Sequence, residues 1–233
     1  MVAIPELPTL KPAKRVAARA LVLAAVELRA NVEANPSHPR SEELCPRALG
    51  WLESLDLGAE IEPLERDILE TPLGSLRPEQ RTDANWAREG AALLAWALGL
   101  VDPSPASTFA GSAAGALRLL HDTARELVEA ATLRPADELA GYGRHILLVK
   151  HHLRDRSFRD KSDGNNFAAD ILYTVLCQTL AKLGLQDDTN ALKKAGEMVD
   201  EMPAADREHA GGLFFVRAVA IGWLLGETEA YGD

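Results

Sequence analysis

The sequence predicts an all-α fold: a single globular domain of eight or nine helices with no substantial sheet. Three observations lead there. Apolar residues make up 47% of the chain but aromatic residues only 5%, and Ala and Leu dominate the remainder. Those two favour helices, where a sheet-rich chain would draw on Val, Ile, Thr and Tyr. Apolar positions recur at helical rather than alternating spacing, and Pro and Gly close the periodic segments at helical lengths.

Pro5, Pro8 and Pro12 make residues 1–12 an extended arm, and residues 13–233 the domain. The first helix runs from Pro12 or Ala13 to Asn35, because Asn35-Pro-Ser-His-Pro39 cannot continue it. A second covers Pro46 to Leu55, with Gly58 as terminator, and Pro63 opens a short third through Glu70. Thr71 to Pro78 reads as a loop. The next helix is capped by Thr82 or Asp83 and runs to Leu98, with Gly99 after it. Residues 102–115, rich in Pro, Ser, Ala and Gly, form a long loop and a candidate seam between two halves. Helical spacing resumes over Ala116–Leu133, broken near His121-Asp122. Arg134-Pro135 opens a long helix to Arg156, and further helices cover Phe167–Leu183, a segment capped by Asp187 or Asp188 and ending near Asp200, and Asp206–Leu225.

The formal net charge of −10 argues against nucleic acid, which needs a basic surface, and is compatible with a basic protein partner. No basic stretch followed by an apolar core marks a secretory leader. The run Gly211–Gly226 holds Arg217 and is too short to span a bilayer, so no membrane role and a cytoplasmic location are expected. Cys45 and Cys177 are too few for a disulfide framework and lack metal-ligand spacing.

Catalytic motifs are absent: there is no His-Glu-x-x-His, no Walker loop and no Gly-x-Ser-x-Gly, and no strand precedes Gly141-Tyr-Gly143. Arg159-Asp-Lys-Ser-Asp-Gly164 resembles a calcium loop, but Arg159 and Lys161 fall where oxygen ligands belong. His145 and His152 lie two helical turns apart, roughly 10 Å along the axis, too far to chelate one ion; His151 is beside them. No metal and no cofactor is expected.

Two charges stand out. On a helix over Trp86–Leu100, the side formed by Trp86, Gly90, Leu93, Leu94, Ala97 and Leu100 is apolar, yet Glu89 falls on it beside Leu93, Trp96 and Leu100. Arg217 is the only charge between Gly211 and Gly226. A buried carboxylate needs a partner, and a permanently protonated guanidinium either extends to the surface or meets one. Glu27, placed among Val16, Ala20, Leu23 and Ala24 on the first helix, is a third such charge. The residues therefore predict that Glu27 or Glu89 meets Arg217 across the core.

Several segments in order carry a family resemblance: Arg15-Val-Ala-Ala-Arg-Ala-Leu-Val-Leu23, Glu60-Ile-Glu-Pro-Leu-Glu-Arg66 through Pro72-Leu-Gly-Ser-Leu76, and Trp86-Ala-Arg-Glu-Gly90 through Trp96-Ala-Leu98. Leu133-Arg-Pro135 and Arg217-Ala-Val-Ala-Ile-Gly-Trp223 fit the same pattern. The chain resembles the bacterial family called domain of unknown function 4272, most firmly from Glu60 to Leu98. It departs where that pattern has Glu-Arg-His followed by Ala-Leu-Asn-Trp and this chain reads Asp206-Arg-Glu-His209 and Ala220-Ile-Gly-Trp223. The resemblance implies a predominantly helical domain and brings no catalytic residue with it.

Two functional expectations follow. The first is a non-enzymatic interaction or accessory protein with an acidic surface. The second is a hydrolase-type enzyme using Glu89 and His145 in an interhelical cleft. A sealed Glu89 favours the former, and a Glu89 open to a deep pocket favours the latter.

Overall fold

The computed structural model describes residues 9–102, 110–161, 167–183, 185 and 189–231. Among them are nine α-helices and no strand. The helices are α1 (Ala13–Ala34), α2 (Ser41–Ser54), α3 (Pro63–Glu70), α4 (Pro78–Ala97), α5 (Ala124–Glu129), α6 (Ala136–Lys161), α7 (Phe167–Lys182), α8 (Thr189–Glu201) and α9 (Ala204–Leu224). A 3₁₀ turn, Gly58–Glu60, precedes α3.

The central element is α1. It is buried nearly all round, as its Ala-rich sequence allows, and packs against α2, α3, α4 and α5. On its far side α4 meets α9, α9 meets α6, and α6 carries α7 and α8. One apolar cluster runs through the assembly from Val16 and Leu21 on α1, through Leu94 on α4 and Ile146 on α6, to Phe214 on α9.

Several boundaries differ from the sequence expectations, each for a local reason. α2 begins at Ser41, five residues before Pro46, which sits inside it. The proline there forgoes one backbone bond without breaking the helix. Its stop is Asp56, whose φ of 63° turns the chain before Gly58 is reached; Asp tolerates that region better than most residues. α4 begins at Pro78, not at Thr82 or Asp83. Pro78 is the first helical residue, where a missing N–H costs nothing, and the Gln80 side chain accepts the Arg77 N–H at 2.9 Å.

Residues 116–133 hold only the short α5, preceded by turns with Arg118 and Leu120 in the left-handed region. His121 Nδ1 accepts the Thr123 N–H at 3.2 Å, which favours a turn over helix continuation. α6 continues to Lys161, one turn beyond Arg156. Gly99 ends α4 as expected, with φ 72° and the Leu100 N–H bonded to Ala95 O at 3.0 Å. The segments 1–8, 103–109 and 162–166, and the caps Asp187 and Asp188, lie outside the described residues.

Two glycines set how closely helices meet. A Cβ at Gly90 of α4 would collide with the Tyr231 hydroxyl and lie 2.9 Å from Leu23 Cδ1. One at Gly212 of α9 would lie 2.7 Å from the Trp86 ring. The chain after α9 thus lies against α1 and α4: the Arg19 guanidinium stands 4.2 Å from the Tyr231 ring centre, and Glu62 accepts the Tyr231 N–H at 2.7 Å.

Candidate functional site

Four buried charge systems thread the core. Arg19 of α1 grips Glu65 of α3 with both terminal nitrogens, the Nη1–Oε2 bond being 2.7 Å, and also donates to Glu60 O. Glu65 simultaneously accepts the Glu62 N–H at 3.0 Å, so one carboxylate serves both the buried arginine and the start of α3. Arg29 donates to Glu33 at 2.7 Å and to the carbonyls of Thr71 and Pro72, which end α3. Burial alone would push the Glu33 carboxyl up. Arg29 and the N–H groups of Gly74 and Leu76 outweigh it and hold Glu33 below the usual carboxylate range. Glu27 takes Arg88 of α4 at 2.9 Å and the Ser112 hydroxyl at 3.2 Å.

The fourth system joins α4 to α9. Both Nε and Nη2 of Arg217 reach Oε2 of Glu89 at 2.8 Å, and Oε1 accepts the Ala110 N–H at 2.7 Å. Glu89 is 1% exposed and Arg217 2%. Of the two carboxylates expected for Arg217, Glu89 is the one that meets it; Glu27 belongs to Arg88 instead. Around the Glu89 pair, Leu93, Leu94, Trp96 and Ala97 are buried, whereas Trp86 is half-buried and Leu100 is 38% exposed. The apolar stripe ends early because α4 itself ends at Ala97, and beyond Gly99 the helical wheel no longer applies.

Tyr142 of α6 lies near this pair, its ring centre 4.2 Å from that of Trp96. Burial pushes its phenol up, Glu89 adds to that and Arg217 opposes it, so the ring is a neutral donor at ordinary pH. His145, one turn on, lies at the surface with its ring 6.4 Å from those of Tyr142 and Phe214. The packing on its inner flank removes water and lowers its imidazole below the ordinary value. It makes no hydrogen bond to Glu89. A general base needs a free lone pair within reach of its proton, and every oxygen of Glu89 is already aimed at an internal donor.

His151 and His152 stand edge to face with ring centres 5.5 Å apart, and each has a further neighbour of its own. His152 lies against Gly196, with Nε2 2.9 Å from Leu192 O, and His151 lies 6.2 Å, ring to ring, from Tyr173. Among the described residues no group of three or more His, Cys, Asp or Glu is placed to hold a metal ion. Cys45 is buried and Cys177 half-buried, both as free thiols. Among the described residues no helix is long and apolar enough to cross a membrane.

Two adjoining hollows lie away from this pair, between α6, α7 and α9. One hollow of about 310 Å³ has Leu147, Leu172, Leu176, Ala218 and Val219 in its walls, with Lys150 and Arg154 beside them. A second of about 650 Å³ continues along α6 and α9 towards Phe158 and Arg207. The two share Lys150, Arg154 and Phe215. Leu147, Lys150, His151, Arg154 and Phe158 form one stripe of α6, and Arg207, Gly211, Phe215 and Val219 the facing stripe of α9, each at helical spacing. Burial lowers the Lys150 ammonium below its ordinary value, against an opposing pull from Glu227.

The sequence reading did not reach this groove. Its signal was the mixture of basic and large apolar residues at three- and four-residue spacing along α6, which looks like an ordinary half-buried helix until α7 and α9 are in place. Phe215 was hidden by its neighbour: Phe214 is 1% exposed and Phe215 57%.

Nothing among the curated proteins or the solved structures matches the chain. A family match covers residues 2–175, which takes in α1 to the first half of α7 and leaves out α8, α9 and with them Arg217-Ala-Val-Ala-Ile-Gly-Trp223. That family is described as Domain of unknown function (DUF4272), and the chain belongs to it.

Proposed function

We propose that the chain is a non-enzymatic binding domain whose receiving surface is the groove between α6, α7 and α9. The observation that carries this reading is the gathering of exposed large apolar side chains in and around the groove. Phe158, Tyr173, Val175 and Phe215 are 43–57% exposed, and of the described large apolar residues only Leu64 and Leu100 are comparably open. Large apolar groups left in water at one place mark a surface that something else covers. The Glu89–Arg217 pair supports the same reading from the other side. It is sealed and internally saturated, which suits a structural anchor and takes Glu89 out of the hydrolase alternative, leaving His145 at the surface with no hydrogen bond to it.

The acidic excess over the rest of the chain suits a basic protein partner, as its composition implies. The groove has the opposite sign, with Lys150, Arg154 and Arg207 against Glu208 and Glu227, so its own occupant is anionic or neutral.

The test uses an uncharged solvatochromic dye such as Nile red, which reports accessible apolar surface irrespective of charge. The native protein should bind it saturably, and Phe215→Glu should abolish binding with an unchanged circular dichroism spectrum. Failure of the native protein to bind the dye, or full binding by the variant, overturns the reading. So does hydrolysis of any ester, amide or phosphoester that is lost in a folded Glu89→Gln variant.

A further inference from the structure

Among the described residues the groove carries two cations that no carboxylate bridges, although Glu227, in the wall of the same hollow, pulls on Lys150 from beyond ion-pair distance. Arg19, Arg29, Arg88 and Arg217 each meet a carboxylate, and even the half-exposed Arg15 and Arg134 do so. Among the described residues, Lys150 and Arg154 make neither a hydrogen bond nor an ion pair. Each instead faces a ring: Lys150 Nζ is 5.2 Å from the centre of Phe215, and Arg154 Cζ 5.9 Å from that of Phe158. They are four residues apart on α6, hence neighbours on one face, where like charges repel. In a chain with 35 acidic and 25 basic residues, no carboxylate among the described residues bridges the two. An anion seated there would relieve that repulsion and form charge-assisted hydrogen bonds with both.

The shape of the hollow narrows the choice of anion. Beside the two cations much of the wall is aliphatic, with Leu147, Leu172, Leu176, Ala218 and Val219, and Thr179, Thr228 and Glu227 make up its polar part. The hollow of about 310 Å³ is at the small end of the range for small-molecule sites. A peptide helix, about 10–12 Å across with its side chains, does not enter a space of that size; a single alkyl chain does. The cations also sit together at the junction of the two hollows, not spread along a surface as they would be to meet an acidic protein face.

We propose that the groove binds a free single-chain anionic amphiphile of the long-chain carboxylate type. Its aliphatic tail lies on Leu147, Leu172, Leu176 and Val219, and its carboxylate is held by Lys150 and Arg154. This rests on the binding-domain reading above and names the ligand chemistry of the same groove. Burial of the tail supplies most of the affinity, because each methylene removed from water adds to the apolar surface that drives association. The two cations select the head group and fix the direction in which the chain lies.

Isothermal titration of the full chain with monomeric dodecanoate tests this. The expected result is saturable binding of one equivalent. Dodecanol, with the same tail and no charge, should bind at least about tenfold more weakly, as should dodecanoate to the double variant Lys150→Glu, Arg154→Glu. Neither residue belongs to a buried ion pair, so the double variant should keep the parent's thermal midpoint. If it does not, the charge-neutralising pair Lys150→Gln, Arg154→Gln serves instead and should show the same loss.

Absence of saturable dodecanoate binding, equal affinity for dodecanol, or parental affinity in the folded charge variants each overturns the proposal. Binding of an acidic amphipathic peptide in the absence of dodecanoate binding assigns the groove to a protein partner. Sedimentation with phosphatidylglycerol vesicles but no monomer binding assigns it to a membrane surface. Either result overturns the amphiphile and leaves the dye test of the groove standing.

Discussion

Replacing Glu89 by Gln keeps the shape of the α4–α9 junction and removes one charge from its centre. Gln offers one oxygen and one NH₂ where Glu89 offers two acceptors, Oε2 to Arg217 at 2.8 Å and Oε1 to the Ala110 N–H at 2.7 Å. If its oxygen stays with Ala110, the NH₂ points at Nε and Nη2 of Arg217, donor against donor. If the amide flips, the Ala110 N–H loses its acceptor. In either orientation the Arg217 charge stays buried at 2% exposure and loses the Glu89 carboxylate. Breaking one side of a buried pair costs about 3–5 kcal/mol, and for a chain of this length each kcal/mol lowers the midpoint by about 2–4 °C. The expected loss is therefore about 6–20 °C, read by thermal and urea unfolding. Adding Arg217→Met removes the stranded charge while keeping an apolar stem of similar reach. The double variant should be more stable than Glu89→Gln alone, with a coupling of about 2 kcal/mol in a double-mutant cycle. A loss below about 1 kcal/mol for the single variant, or strictly additive effects in the cycle, would refute the reasoning.

Leu94 is fully buried between α4 and its neighbours, so Leu94→Ala should cost about 2–5 kcal/mol in urea unfolding; a loss under half of the lower figure would show that the site collapses around the gap. Gly90→Ala would ordinarily stabilise a helix by about 1 kcal/mol. Here the new methyl meets the Tyr231 hydroxyl and Leu23, so a net loss of about 1–3 kcal/mol is expected, relieved when Tyr231→Phe is added. The Glu33 carboxyl is held below its ordinary value of 4.5, so its contribution is present above that pH and is lost as pH falls through the lower folded-state value. Urea midpoints measured from neutral pH down through this window should fall more steeply for the parent than for Glu33→Gln, and parallel curves would contradict the assignment.

Much of the architecture is legible in the sequence because the helices are long and closed by local devices. Gly99, Pro63 and the Pro-rich stretch after α1 act through their own backbones, and their effects lie where a residue-by-residue reading puts them. Pro78 and Pro46 are ambiguous in the sequence: a proline can follow a loop, start a helix as Pro78 does, or sit within one as Pro46 does, and only the partners of the flanking N–H groups distinguish the cases. Arg217 stands out as a lone charge in an apolar run, and Glu89 as a charge on the apolar face of its helix. Arg19, Arg29 and Glu33 do not, since α1 is surrounded on all sides and its charges look, in one dimension, like a solvated face, and Glu65 sits among the other charges of the short α3. The groove was illegible because it belongs to no single element. Lys150, Arg154 and Phe215 become neighbours only through the packing of α6 on α9.

The buried pairs have a further consequence for how this chain specifies one packing. Ala- and Leu-rich helix faces are nearly interchangeable from turn to turn, so apolar burial alone discriminates weakly between registers one turn apart. Each ion pair, by contrast, ties a different junction: Arg19–Glu65 joins α1 to α3, Glu27–Arg88 joins α1 to α4, and Glu89–Arg217 joins α4 to α9. Sliding any of these helices by one turn, about 5.4 Å, separates a 2.7–2.9 Å contact and strands two charges in the core. The cost of such a slip is several kcal/mol per junction, comparable with the whole stability of a domain. Gly90 and Gly212 act in the same sense, because only at those two positions can Tyr231 and Trp86 come so close to the backbones of α4 and α9. Register in this core is thus set by charge pairing and by missing side chains, and the apolar residues supply the driving force that those contacts direct.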